Sequence, residues 1–109
     1  MKIIIAGAGE VGQHLAKQLS NENHDITVID INPTCLVHVN SVMDVLTITG
    51  SSTSLNVLRN ANCEKTDLVV AVTSSESVNI NTAILAKKLG AKKTVARVET
   101  VEYVSKSNQ

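Results

Sequence analysis

Apolar positions along the chain fall into short continuous runs that alternate with stretches of helical spacing. Lys2–Ala6 is nearly all apolar and stops at Gly7, the pattern of a strand buried on both faces. Glu10–Leu19 then sets Val11, Leu15, Ala16 and Leu19 at helical spacing, and Asn21, Asn23 and His24 break it. Asp25–Asp30 (DITVID) predicts a second strand. Asn32-Pro33 predicts a helix start, with Asn as N-cap and Pro at the first helical position, and a helix running to about Val39. Asp44–Thr49 (DVLTIT) is a third strand ended by Gly50, and Ser54–Ala61 is a short helix carrying Leu55, Val57 and Leu58. Asp67–Thr73 (DLVVAVT) is the fourth strand and the most apolar. Val78–Leu89 is a helix with Ile80, Ile84, Leu85 and Leu89, closed by Gly90 as C-cap. Thr94–Val98 predicts a fifth strand. From Glu99 to Gln109 the chain is polar, with Val101, Tyr103 and Val104 as isolated apolar points.

Strict alternation of apolar strands with helices predicts an α/β fold whose parallel sheet is covered on both faces. Right-handed crossovers make it doubly wound, and a Rossmann arrangement gives the strand order 3-2-1-4-5. One domain over residues 1–100 accounts for the whole pattern, without internal repeats or low-complexity segments.

Composition narrows the function. The 109 residues carry ten basic and ten acidic side chains, so the formal charge is zero, and Tyr103 is the sole aromatic. Neither a basic footprint nor a stacking platform exists for nucleic acid. No stretch approaches the ~20 apolar residues of a membrane span, and the N-terminal apolar run is cut by Gly7, Gly9 and Glu10 before it resembles a signal peptide. A soluble, cytoplasmic protein without direct membrane insertion is expected. Cys35 and Cys63 are far apart and read as free thiols in a reducing compartment. With His14, His24 and His38 they match no metal-ligand spacing, so no metal site is predicted.

The strongest chemical signal is Gly7-Ala8-Gly9-Glu10-Val11-Gly12. It leaves a strand, opens a helix, and is followed by a strand ending in Asp30, 18 residues after Gly12. That context makes G-x-G-x-x-G a dinucleotide fingerprint. Gly7 turns the chain out of the strand, Gly9 lets a pyrophosphate approach the backbone, and Gly12 lets the helix lie close to the sheet. The helix N-terminus offers unpaired N–H groups to phosphates. Asp30 accepts hydrogen bonds from ribose hydroxyls, and its charge repels a 2′-phosphate, which favours NAD or NADH over the phosphorylated form. Glu10 places a negative charge near the phosphates and also complements the helix dipole.

Other strand ends face the same crevice. They are Ile31-Asn32, Gly50-Ser51-Ser52 and Thr73-Ser74-Ser75. Gly50 is expected to permit close approach near the adenine. The hydroxyls of Thr73 and Ser74 either meet the pyrophosphate or second ribose, or serve turn chemistry and capping. Arg97 sits inside an apolar strand and so needs a carboxylate or a ligand phosphate.

The segments IIIAGAGEVGQHLAKQL, ITVIDINP, GSSTSLNVLRNANCEKTDLVVAVTSSESVNINTAILAKKLGAKKTVARV and EYV, in that order, resemble the TrkA-N family. These domains, also called KTN or RCK-N, form the N-terminal part of Trk potassium-uptake regulatory proteins. The resemblance implies a regulatory role without catalytic residues. It implies NAD(H), or ATP or ADP, as ligand, a membrane potassium transporter or channel subunit as partner, and a homo-oligomer held at the inner face of the membrane through that partner. Gly7, Gly9, Gly12 and Asp30 match the family's nucleotide motif, and Gly50, Thr73 and Arg97 match positions near the ligand. Ser51 departs from members that carry Asp after that glycine. Asn79 or Asn81 fills the Asn position of the family's DExN-type helix. The family's domains continue through a further helix and strand, so residues 101–109 read as the truncated start of that helix. The sheet is then expected to lack a sixth strand and to expose an apolar edge. The cofactor domain of an NAD-dependent dehydrogenase is the alternative, although Tyr103 and Lys106 lack the four-residue spacing of short-chain dehydrogenases and no general acid stands out. The equivalent domain of a proton-coupled potassium efflux system, or a redox sensor, is the third reading.

Overall fold

A computed structural model of the chain describes residues 1–99. The elements run β1 (Lys2–Ala6), α1 (Glu10–Ser20), β2 (Asp25–Asp30), α2 (Pro33–Val42), β3 (Leu46–Thr49), α3 (Leu55–Asn60), a 3-10 turn (Cys63–Lys65), β4 (Leu68–Ala71), α4 (Glu76–Leu89) and β5 (Lys93–Ala96). All five strands are parallel, in the order β3-β2-β1-β4-β5. The expected segment 101–109 lies outside the described residues.

The order follows from which face each residue feeds. Side chains alternate along a strand, so Ile3 and Ile5 point to one face of the sheet and Ile4 to the other. Ile3, Ile5, Ile26 and Val28 pack with Ala16 of α1 and with Leu36 and Val39 of α2. Ile4, Ile29 and Val69 pack on the opposite face with Leu58 of α3, Ala86 of α4 and the buried Cys63. Ile4 and Ile5 are fully buried, and each such side chain contributes about 1.5–3 kcal/mol. Burial pushes the Cys63 thiol's pKa up, as suits a core residue.

Strand and helix ends shift from the expected positions for local reasons. Ser75 accepts the Val78 N–H, so α4 begins at Glu76 rather than Val78. The helix after Asn32 runs to Val42 instead of stopping near Val39, and β3 starts at Leu46 rather than Asp44. At the amino ends of the strands Asp67 accepts the Lys2 N–H at 2.8 Å and pairs with Lys92 at 3.2 Å. The Lys2 N–H, and then Lys92, hold its carboxyl below the usual carboxylate range. That end of the sheet is latched. The carboxyl end, where the chain runs from β1 to β2 on one side and from β4 to β5 on the other, is open.

Candidate functional site

The β1–α1 turn is built by glycine. Gly7 has φ +116°, a left-handed conformation that L side chains rarely adopt. A Cβ on Gly12 would lie 1.8 Å from the Gly7 carbonyl oxygen, so α1 can approach the turn only where Gly12 has no side chain. Gly9 differs: a Cβ there would meet nothing within 4 Å. Its bare backbone borders open space.

Gly9 is also the N-cap of α1 and offers no side-chain acceptor. The other three α-helices are capped by side chains. Asn32 accepts the Thr34 N–H, Ser54 the Val57 N–H and Ser75 the Val78 N–H. A helix N-terminus with unpaired N–H groups and the positive end of the dipole is an anion site in waiting. Glu10, the acidic residue of the first turn, is exposed.

Beside the turn stands Asp30 at the end of β2. One carboxylate oxygen accepts the Ala8 N–H at 2.7 Å and the other accepts the Asn32 N–H at 2.8 Å. These bonds fix the carboxylate between the glycine turn and the start of α2. A carboxylate has about four lone-pair sites, so acceptor capacity remains for hydroxyl groups.

The far wall comes from the β4–α4 turn. Thr73 donates its N–H to Asn79 Oδ1 at 2.8 Å, and its hydroxyl lies 2.6 Å from the same oxygen. Its hydroxyl is therefore engaged in turn chemistry, and Ser75 serves as a cap. Asn79 is 1% exposed and bonds to this turn, whereas Asn81 is exposed.

These walls enclose a crevice of about 450 Å³ between the carboxyl ends of β1, β2, β3 and β4, within the ~300–1,000 Å³ usual for small-molecule sites. Gly7, Gly9, Asp30, Ile31, Gly50, Ser51, Thr73 and Ser74 line it, as do Asn32, Ser52 and Ser75 of the same strand ends. Ala8, Glu10, Val11, Gly12 and Arg97 do not. Ala8 and Gly12 are buried behind the turn, and Val11 is exposed along α1. Cys35 and Val78 line the crevice without having been singled out. Each follows a helix start, the signal that placed its neighbours there.

One expectation needs correction. Arg97 is not embedded in a strand: β5 is an edge strand that ends at Ala96, and the Arg97 side chain is 38% exposed and paired with Glu99. Of the two partners considered, the structure supplies the carboxylate. Gly50 borders the crevice, and its missing side chain also serves packing, because a Cβ there would fall 2.7 Å from Val57 Cγ2 of α3. Val95 of the edge strand β5 and Val98 just past it are partly exposed. Among the described residues no group of His, Cys, Asp and Glu is suited to a metal, and no helix is long and apolar enough to cross a membrane.

A doubly wound parallel sheet with a glycine turn, an open helix N-terminus and an acidic strand end around one crevice defines a Rossmann-type domain of the nucleotide-binding class. The sequence profile of the TrkA-N domain matches residues 3–109. The chain belongs to the TrkA-N family. It is 44% identical over 106 residues to the Trk system potassium uptake protein TrkA homolog of Archaeoglobus fulgidus, covering 97% of this chain and 24% of that protein. It therefore spans about a quarter of the length of this curated relative. Among solved structures, the Kef CTD of Shewanella denitrificans in AMP-bound form superposes with a TM-score of 0.73 at 22% identity, over 87% of this chain and 57% of that one. The enzyme WbmG of Bordetella bronchiseptica, in complex with NAD and UDP, gives 0.64 at 28% identity, over 84% of this chain and 35% of its own.

Proposed function

We propose that the crevice binds an adenine nucleotide, NAD or NADH foremost and ATP or ADP as alternatives, and that this domain regulates potassium uptake. The observation that carries the reading is the one uncapped α-helix N-terminus among the described residues, whose cap Gly9 lines the same crevice as the fixed carboxylate of Asp30 beside it. Phosphates sit at the N–H groups of Glu10, Val11 and Gly12, drawn by the dipole and by direct hydrogen bonds. Gly9 leaves the space they need. Asp30 receives the adenosine ribose hydroxyls on its remaining lone pairs and disfavours a 2′-phosphate. Ile31, 73% exposed at the crevice, gains burial under the adenine. The NAD complex of a chain 28% identical supports the dinucleotide as ligand. NAD and ATP share the adenosine ribose, so Asp30 does not choose between them.

The relative named as a potassium uptake protein supports the regulatory half of the proposal. Here the domain acts as part of a cytosolic, self-associating subunit, peripheral at the inner face of the membrane through a potassium transporter or channel. Bound nucleotide favours one arrangement of the subunit and shifts its population, with no chemical step on the ligand. Calorimetric titration of the chain with NADH, NAD, ATP and ADP tests the ligand. Saturable binding of at least one supports the reading; no heat and no thermal shift with any of the four overturns it.

A further inference from the structure

Asn79 reaches two places with one side chain. It sits in the first turn of α4 and is buried. Its Oδ1 accepts the N–H and hydroxyl of Thr73, and its Nδ2 donates to the carbonyls of Thr73 and Arg97, both at 3.1 Å. All four hydrogen-bonding positions of the amide are filled. Thr73 lines the crevice. Arg97 is the first residue past β5, where the chain leaves the sheet. One turn along α4, the buried Thr82 hydroxyl lies 2.7 Å from Ser52, which lines the crevice from the β3–α3 loop. The same buried face of α4 thus holds the β4–α4 turn and the β3–α3 loop, but of these two ties only Asn79 also grips the exit of β5.

Building on the nucleotide reading, we infer that Asn79 is a positioning residue through which occupancy of the crevice is felt where the chain leaves β5. The donors of Thr73 are already engaged, unlike those at the start of α1. A phosphate or ribose oxygen that takes the Thr73 N–H or hydroxyl competes with Asn79 Oδ1. A buried amide oxygen left unpaired is costly, so the amide shifts with Thr73, and its other end carries the Arg97 carbonyl along. The exit segment is laid against α4 and responds as a unit. The Glu99 N–H donates to Glu76 Oε1 at 2.9 Å, and Arg97 pairs with the Glu99 carboxylate. The connection is a contiguous hydrogen-bond path rather than mere proximity.

Amide hydrogen exchange on the whole chain, with and without saturating NADH and separately ATP, tests this. In the wild type the Glu99 amide, along with those of Thr73 and Ser75, changes its exchange rate by about fivefold or more on binding, the low end of ordinary coupling between sites. Asn79→Ala keeps calorimetric affinity within about tenfold but loses the response at Glu99. Thr82→Val cuts the Ser52 tie alone and retains it. Binding to the wild type with an unchanged Glu99 amide overturns the inference while leaving the nucleotide reading intact. So does a response that survives Asn79→Ala, or one lost equally in Thr82→Val. Should Asn79→Ala fail to fold, the wild type and Thr82→Val decide the matter. No binding of either nucleotide to the wild type overturns the nucleotide reading and this inference with it.

Discussion

The two turns that face each other across the crevice are built on opposite principles. The β4–α4 turn is saturated: Thr73, Ser75 and Asn79 satisfy one another and cap α4. The β1–α1 turn is bare: Gly9 caps α1 with no side chain, and its surroundings hold nothing within 4 Å of a Cβ position. Helix stability alone would favour Ser, Asn or Asp at that cap, as at the other three α-helices. A turn that leaves its donors unfilled forgoes local stability where an outside group can fill them, and such departures from local consistency mark functional positions. The saturated turn can offer the same group a donor only in exchange for a bond it already makes.

The contrast also divides the glycines of one motif. Gly12 is required by the fold, since its Cβ would strike the Gly7 carbonyl oxygen at 1.8 Å. Gly12→Ala should therefore lower stability by about 3 kcal/mol or more, because backbone on both sides leaves nothing flexible to give way. Urea unfolding checks it, and a wild-type midpoint would erase the distinction. Gly9 is free of any such contact. Gly9→Val should leave stability within about 1 kcal/mol, yet cut NADH affinity on the order of 100-fold, about 2.7 kcal/mol, by filling the space the pyrophosphate needs. Calorimetry beside urea unfolding separates the two effects.

The bare turn was legible in the sequence and the saturated one was not, for a physical reason. Gly7 reports a positive φ and Gly12 a close backbone approach, and few other residues tolerate either, so spacing after a strand is enough to place them. The strand order was legible too, because Ile3, Ile4 and Ile5 feed two cores in turn and right-handed crossovers leave few topologies. Hydroxyls and amides carry no such constraint. Thr73 and Asn79 are six residues apart, and the Arg97 carbonyl is 18 further on; nothing local selects those partners. The one signal was that Asn79, Thr82 and Ala86 share a helix face at i, i+3 and i+7, which places two polar side chains among buried positions. Arg97 was misread because apolar neighbours suggested burial, whereas an edge strand leaves its end open to water. The packing role of Gly50 was not legible because the Val57 side chain near its Cβ position belongs to the next element.

Asp30 belongs to the bare side but already has two donors, so its loss tests whether that side serves ligand or fold. Asp30→Ala should weaken NADH binding by about 1–3 kcal/mol, the range for charge-assisted hydrogen bonds. It should also lower stability by about 1–2 kcal/mol by leaving the Ala8 N–H, on a fully buried residue, without its acceptor. Calorimetry and urea unfolding of the same preparation report both. Stability lost at unchanged affinity would make Asp30 a latch between the glycine turn and α2, and would move the ribose elsewhere.

The smallest expected effect bears most directly on why α1 alone lacks a side-chain cap. Gly9→Ser supplies an acceptor for the Val11 or Gly12 N–H, as Ser75 does for α4. Serine is the better cap by only a few tenths of a kcal/mol, so the gain in unfolding free energy should be that small. Affinity for NADH should move the opposite way, because the new hydroxyl occupies a donor that a phosphate would use and intrudes on its space. A rise in stability with a fall in affinity would mean that the open N-terminus is kept open for the ligand. A rise in stability with affinity unchanged would mean that the phosphates do not sit at α1, and the bare turn would then be explained by close packing at Gly7 and Gly12 alone.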